Sequence, residues 1–138
     1  MKITVLAVGK IRPPFTEAEA HYTKMLRTKQ SVEIIEVKDD ESLQRRIDDS
    51  NHLVALDFAG PQMSSEGWAK WLDRRRHQGQ KITFLIGGPA GLPEPVRKQV
   101  KERISLGEQT LAHQLARIVL LEQIFRASKI LAGENYHL

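Results

Sequence analysis

The chain has 138 residues, 41% hydrophobic and 28% charged, with a formal net charge of +4 and no cysteine. That is the length of one globular domain with enough apolar side chains to bury a core, and the lack of cysteine excludes disulfides, thiolate metal sites and thiol redox chemistry. The positive balance favours anionic partners, nucleic acid first among them, although the charge is uneven: RRRHQGQK (74–81) is basic and EVKDDE (36–41) is mostly acidic.

Strand and helix patterns alternate along the chain. MKITVLAVGK opens with an apolar run from Ile3 to Val8. The run is too short for a signal-peptide core or a membrane span, so it predicts a strand over 2–9, closed by Gly9, in a cytoplasmic protein. TEAEAHYTKMLRT (16–28) predicts a helix, with Thr16 and Glu19 at capping-box spacing and Ala18, Tyr22, Met25 and Leu26 as an apolar stripe. SVEIIEVK (31–38) alternates as a second strand, and DDESLQRRIDD (39–49) has a capping acid and a weak stripe, which predicts a short helix. HLVALDF (52–58) reads as a third strand. SSEGWAKWLDRRRH (64–77) reads as a helix with Trp68, Trp71 and Leu72 on one side and most of its arginines on another. KITFLIG (81–87) reads as a fourth strand. In PEPVRKQVKERI (93–104) the prolines stand at a helix entry, where their fixed φ and missing N–H do least harm, and ISL (104–106) reads as a short fifth strand. AHQLARIVLLEQIFRASKIL (112–131) is a long helix stopped by Gly133, followed by the tail ENYHL.

No repeat, low-complexity segment or interdomain linker interrupts this order, so residues 1–138 read as one α/β domain. The near-continuous apolar strands argue a mostly parallel sheet with helices on both faces. Such sheets bind ligands outside the carboxyl ends of their strands, which points to the loops DFAGPQMSS, GGPAGLPE and GEQTLAH. In the last helix, apolar residues from Leu115 to Leu131 wrap nearly all the way round, whereas a helix covering a sheet needs only a stripe. It is either the centre of a small core or the seam of a homodimer, and the dimer is the expectation.

Several chemistries are missing. There is no phosphate-binding G-x-x-x-x-G-K-[ST], no G-x-G-x-x-G after a strand and no G-x-S-x-G. His52, His77, His113 and His137 lack metal-ligand spacing with acids, and His21 stands alone on the first helix, so no metal site is expected. Three constellations remain. GGPAG (87–91) is either a tight strand-to-helix connection or a loop whose bare backbone approaches a flat heterocycle. His113 and Arg117 lie four residues apart on one helix face, as do Glu122 and Arg126. Polar groups on so apolar a helix are costly unless paired or used; the structural alternative pairs Glu122 with Arg126 and leaves Arg117 at the surface. Tyr136 and His137 belong either to a frayed tail or to a segment that closes a site in a partner subunit.

Together, IGGPAGL (86–92) and ISLGEQTLAHQLARIVLLEQIFRASKILAGENYH (104–137), with ITVLAVGKI (3–11) and VALDFAG (54–60), resemble the RlmH family, bacterial SPOUT-class methyltransferases that act on pseudouridine in large-subunit (23S) ribosomal RNA. The resemblance covers nearly the whole chain. It implies S-adenosylmethionine as cofactor, a homodimer, and a C-terminal part threaded as a trefoil knot, a topology too rare for periodicity to suggest. It places the cofactor against Leu56, Gly87, Leu106, Gly107, Glu108, Gln109, Thr110 and Leu111, with Leu56, Leu106 and Leu111 sandwiching the adenine.

The implied acceptor is N3 of pseudouridine, an imide nitrogen that becomes nucleophilic on losing its proton. His113 or His137 takes that proton, Arg117 stabilises the anion or holds a phosphate, and Tyr136 and His137 reach into the partner's site. Two positions depart from the family pattern: Ala112 stands where Pro is usual before the helix-entry histidine, and Leu138 where a basic or polar residue usually ends the tail. A small domain without an added RNA-binding module implies a preshaped substrate, the assembled ribosome or its large subunit. The competing reading from another class is a ribosome- or RNA-binding module that kept the fold without catalysis.

Overall fold

The computed structural model describes residues 1–136, so the expectations for His137 and Leu138 lie outside the described residues. The elements are β1 (Lys2–Val8), α1 (Phe15–Leu26), β2 (Ser31–Val37), α2 (Asp40–Arg46), β3 (His52–Leu56), α3 (Ser65–His77), β4 (Ile82–Ile86), α4 (Glu94–Gln99), β5 (Glu102–Ile104) and α5 (His113–Leu131). The five strands form one sheet in the order β2-β1-β4-β3-β5, and every pairing is parallel.

The strands carry apolar residues on both sides because both sides are covered. Ile3, Val5 and Ala7 of β1, Val54 of β3 and Ile82, Phe84 and Ile86 of β4 pack with residues of α1, α3 and α5. Leu6 and Val8, Ala55 and Leu85 point the other way, against Leu43 of α2 and Val96 of α4. Trp71 is fully buried on the first face, edge-on to Trp68 at 5.8 Å and tilted over Phe84 at 5.6 Å. Short β5 is held by its Glu102, whose carboxylate accepts from Trp71 Nε1 at 2.8 Å and Arg75 Nη2 at 3.1 Å and meets His52 Nε2 at 2.8 Å.

Three boundaries differ from the sequence expectation. α1 starts at Phe15 after Pro14, with no side-chain cap, so Thr16 lies inside the first turn and Glu19 is free to bond elsewhere. α4 stops at Gln99, where Val100 turns extended, and the fifth strand is 102–104 rather than 104–106. On α5 the outward arc joins Leu115, Val119 and Ile130 with Glu122 and Arg126, which form the pair named as the structural alternative (Nε–Oε2 3.3 Å). Two of the helices carry side-chain caps: Asp39, the expected capping acid, accepts from Ser42 N–H, and Ser64 accepts from Gly67 N–H. Among the described residues no helix is long and apolar enough to cross a membrane, and no cluster of His, Cys, Asp or Glu is arranged to hold a metal ion.

Candidate active site

Parallel strands bring all their carboxyl ends to one edge. Leu56 ends β3, Gly87 follows β4, Leu106 to Leu111 follow β5, and His113 opens α5. The loop after β4 is a tight turn: Gly91 N–H donates to Gly88 O at 2.9 Å, with Pro89 second and Gly91 last at φ +81°. Gly87 is buried beneath it, and a β-carbon there would lie 2.4 Å from the carbonyl carbon of Gly91 and 2.6 Å from Leu92 N. What comes close to Gly87 is therefore the loop's own returning backbone.

The segment after β5 first runs beside the β3–α3 connection. Asp57 N–H donates to Ile104 O at 3.0 Å and Ser105 N–H to Pro61 O at 2.9 Å. Ser105 Oγ then fixes Gly107, donating to its carbonyl at 2.7 Å and accepting from its N–H at 3.1 Å. Among the described residues, the backbone groups of Leu106 and of Glu108 to Leu111 make no hydrogen bond. Leu56 and Leu106 are half-buried, each packed on the core. A row of free backbone donors and acceptors beside half-buried leucines suits a flat, edge-polar ring such as adenine. A cavity of about 290 Å³ adjoins the segment, lined by Leu106, Met63, Ser65, Trp68, Val119 and Gln123. A larger one of about 550 Å³ lies at the opposite edge of the sheet, between Met1, Leu26, Arg27, Gln30 and Arg76. Strand polarity and the free backbone favour the carboxyl edge as the site.

His113 and Arg117 share a face of α5 and have different surroundings. His113 is half-buried beside the end of β1, where a β-carbon on Gly9 would sit 3.7 Å from its Nε2. Arg117 is 1% exposed. Its Nη1 donates to Glu19 at 3.0 Å and Glu36 at 2.7 Å, and its Nη2 donates to Gly9 O at 3.2 Å. The surface position foreseen as its structural alternative is not found, and a guanidinium so occupied has little left to offer a phosphate or an imide anion. Glu36 and Gln114 carry no signal in the sequence, and Glu19 stands there only as a capping-box residue. Glu19 and Glu36 lie 98 and 81 residues from Arg117, beyond any local pattern.

Burial raises the affinity of the Glu36 carboxyl for its proton. The Arg117 hydrogen bond, the Ile11 N–H and the charges of Arg117 and Lys10 outweigh it, and the pKa falls below the ordinary 4.5. A depressed carboxyl stabilises the fold above its unfolded value and loses that contribution as pH falls through the folded one. Thermal unfolding from pH 7 to 3 is expected to show the wild type losing stability below about 4.5. Glu36→Gln is expected to start less stable and to fall less steeply; parallel curves would show that Glu36 carries no such linkage.

Tyr136 lies at the other end of α5. Its ring meets Phe125 edge-on at 5.1 Å, with the Arg126 guanidinium 4.3 Å above it. Glu134, bonded to Lys129 and Lys29, ties the tail down. Burial, then the Glu122 charge, pushes the Tyr136 phenol above its ordinary value. α5 has 19 residues, so about 28 Å separates its two ends, and Tyr136 is far from the His113 of its own chain.

An all-parallel five-stranded sheet covered by helices makes this an α/β domain, with a glycine turn, a free-backbone segment and a helix-entry histidine at the carboxyl edge as its candidate site. Residues 1–137 match the family model described as "Predicted SPOUT methyltransferase". Curated relatives named ribosomal RNA large subunit methyltransferase H include those of Ruminiclostridium cellulolyticum and Listeria monocytogenes serotype 4b, each 38% identical, and of Carboxydothermus hydrogenoformans, 37% identical, covering 99% of this chain and 99% of each relative. The chain belongs to the SPOUT methyltransferase family, in the group these relatives represent. The alignments run over 158 residues against 138 here, so about twenty residues of each relative have no counterpart in this chain.

Proposed function

We propose that this protein methylates N3 of a pseudouridine in the 23S RNA of the large ribosomal subunit, with S-adenosylmethionine as donor, as a cytoplasmic homodimer of single knotted SPOUT domains. The observation that carries the reading is the carboxyl edge of the sheet, where Leu56, Gly87 and the segment 106–111, free in its backbone at Leu106 and from Glu108 to Leu111, follow the strands and His113 opens α5, in a chain whose relatives bear the name of ribosomal RNA methyltransferases. The knot is supported by the course of the chain after β5, which runs along the β3–α3 connection before α5 packs with α1 and α3 on the sheet face opposite α4.

When bound, S-adenosylmethionine supplies an activated methyl group, so the protein's share is binding, alignment and removal of one proton. Leu56, Leu106 and Leu111 would flank the adenine, and backbone groups from Glu108 through Gln109 and Thr110 to Leu111 would address its edge, with Gly107, fixed by Ser105 Oγ, setting the course of the segment. His113, or His137 of a partner chain, accepts the N3 proton. Arg117 sets the entry of α5 from within and is a positioning residue. Tyr136 serves the site of the partner: two α5 helices packed antiparallel through Leu115, Val119 and Ile130 bring the tail of one chain to the His113 end of the other.

Transfer of labelled methyl from S-adenosylmethionine to isolated large ribosomal subunits tests this reading. The wild type is expected to label the RNA, and His113→Ala to lower the rate about 100-fold or more while cofactor affinity by calorimetry stays within a few-fold. Equal losses in both would put His113 in the cofactor pocket instead of at the acceptor.

A further inference from the structure

Between β1 and α1, residues 9–14 border the candidate site on the side away from β3. Val8 lies against the glycine turn, 3.4 Å from where a β-carbon on Gly88 would stand, and Gly9 lies against His113. The loop is held along its length. Gly9 N–H donates to Val37 O at 2.7 Å and its carbonyl accepts from Arg117; Ile11 N–H donates to Glu36 Oε2 at 2.7 Å. Gln114, one residue after His113, grips both neighbours of Ile11: it accepts from Arg12 N–H at 3.0 Å and donates to Lys10 O at 3.2 Å. Ile11 is buried, so the flanking Lys10 and Arg12 both stand exposed. Lys10 is close enough to lower the pKa of Glu36. Among the described residues neither Lys10 nor Arg12 forms an ion pair, while Arg75, Arg117 and Arg126 all do.

We propose that Lys10 and Arg12 form a phosphate-binding rim that grips the backbone of the substrate RNA next to the methyl-transfer site, and that Gln114 positions this rim relative to His113. The inference rests on the proposed RNA substrate and adds the residues that hold it. Two cations on long stems, projecting from a clamped backbone, suit phosphodiester contacts, which set register without reading sequence. The same α5 turn that carries His113 carries the clamp, so a strand held by the rim is fixed with respect to the proton acceptor.

The test measures binding of the full-length protein to isolated large ribosomal subunits over a range of KCl concentrations, with S-adenosylhomocysteine calorimetry alongside. Each phosphate contact contributes about 0.7 to 0.9 to the slope of log affinity against log salt. Lys10→Ala/Arg12→Ala is expected to flatten the slope by about 1.5 and weaken binding at moderate salt at least tenfold, with S-adenosylhomocysteine affinity unchanged. The charge-keeping Lys10→Arg/Arg12→Lys is expected to restore the slope. An unchanged slope in the alanine variant would overturn the proposal, as would a loss of S-adenosylhomocysteine binding in that variant. Failure of the wild type to bind S-adenosylhomocysteine would instead defeat the methyltransferase reading, and the salt slope would still report on the rim.

Discussion

Gly87→Ala is expected to abolish measurable S-adenosylmethionine binding and to lower the melting temperature as well. The added methyl would stand 2.4 and 2.6 Å from the carbonyl carbon and oxygen of Gly91 and 2.6 Å from Leu92 N. All three are backbone atoms of a closed turn, so no side chain can swing aside and the turn itself must move. Overpacking of this kind costs about 3 kcal/mol, and a displacement of about 1 Å at a ligand-positioning loop costs about 100-fold in what the loop supports. Gly91→Ala is the control. A β-carbon there meets nothing within 4 Å, and the φ of +81° is the only obstacle, a strain of about 1–2 kcal/mol. It should keep most of the cofactor affinity. Calorimetry and thermal melting of both variants decide the matter: tight binding in Gly87→Ala would show that the turn has no part in the cofactor site.

Arg117→Ala is the second large effect, and it falls on stability before chemistry. Removing the guanidinium leaves Glu19 and Glu36 facing each other without their cation and Gly9 O without its donor. Breaking a buried ion cluster on one side costs about 3–5 kcal/mol, equivalent to a fall of roughly 15 °C in melting temperature for a domain of this size. Arg117→Lys should recover only a part, because an ammonium cannot span three acceptors held by a planar fork. Replacing the whole cluster, Arg117→Met with Glu19→Gln and Glu36→Gln, should regain stability without regaining methyl transfer, since α5 and the β1–α1 loop would lose their mutual fix. A fully stable Arg117→Ala that has lost only activity would place the guanidinium on the substrate.

These two residues also mark how far the sequence could be read. The buried strands, the Asp39 cap and the glycine turn were legible because each is a local pattern of burial, hydrogen bonding or φ. The predicted parallel sheet, with helices on both faces and its candidate site at the carboxyl edge, followed from those patterns and the rule for ligands in such sheets. The start of α1 was misread because Thr16 and Glu19 match a capping box in spacing alone, and Glu19 is taken by Arg117 across the fold. β5 was placed two residues late because its anchor is Glu102, held by His52, Trp71 and Arg75, 27 to 50 residues away. For Gly87 the sequence points to a close approach of backbone; what the structure shows beside it is the backbone of Gly91 and Leu92, residues a plain reading of the turn already contains. On the outward arc of α5 the Glu122–Arg126 pair was legible, because its i, i+4 spacing is local.

The most direct measurement is mass spectrometry of 23S ribosomal RNA from a strain lacking this protein, taken before and after its ribosomes are incubated with the purified protein and S-adenosylmethionine. One pseudouridine-containing fragment should lack a methyl group before incubation and gain it afterwards, with the cofactor required. An RNA whose methylation is the same with and without the protein, or a methyl group that appears on another nucleotide or on a ribosomal protein, would contradict it.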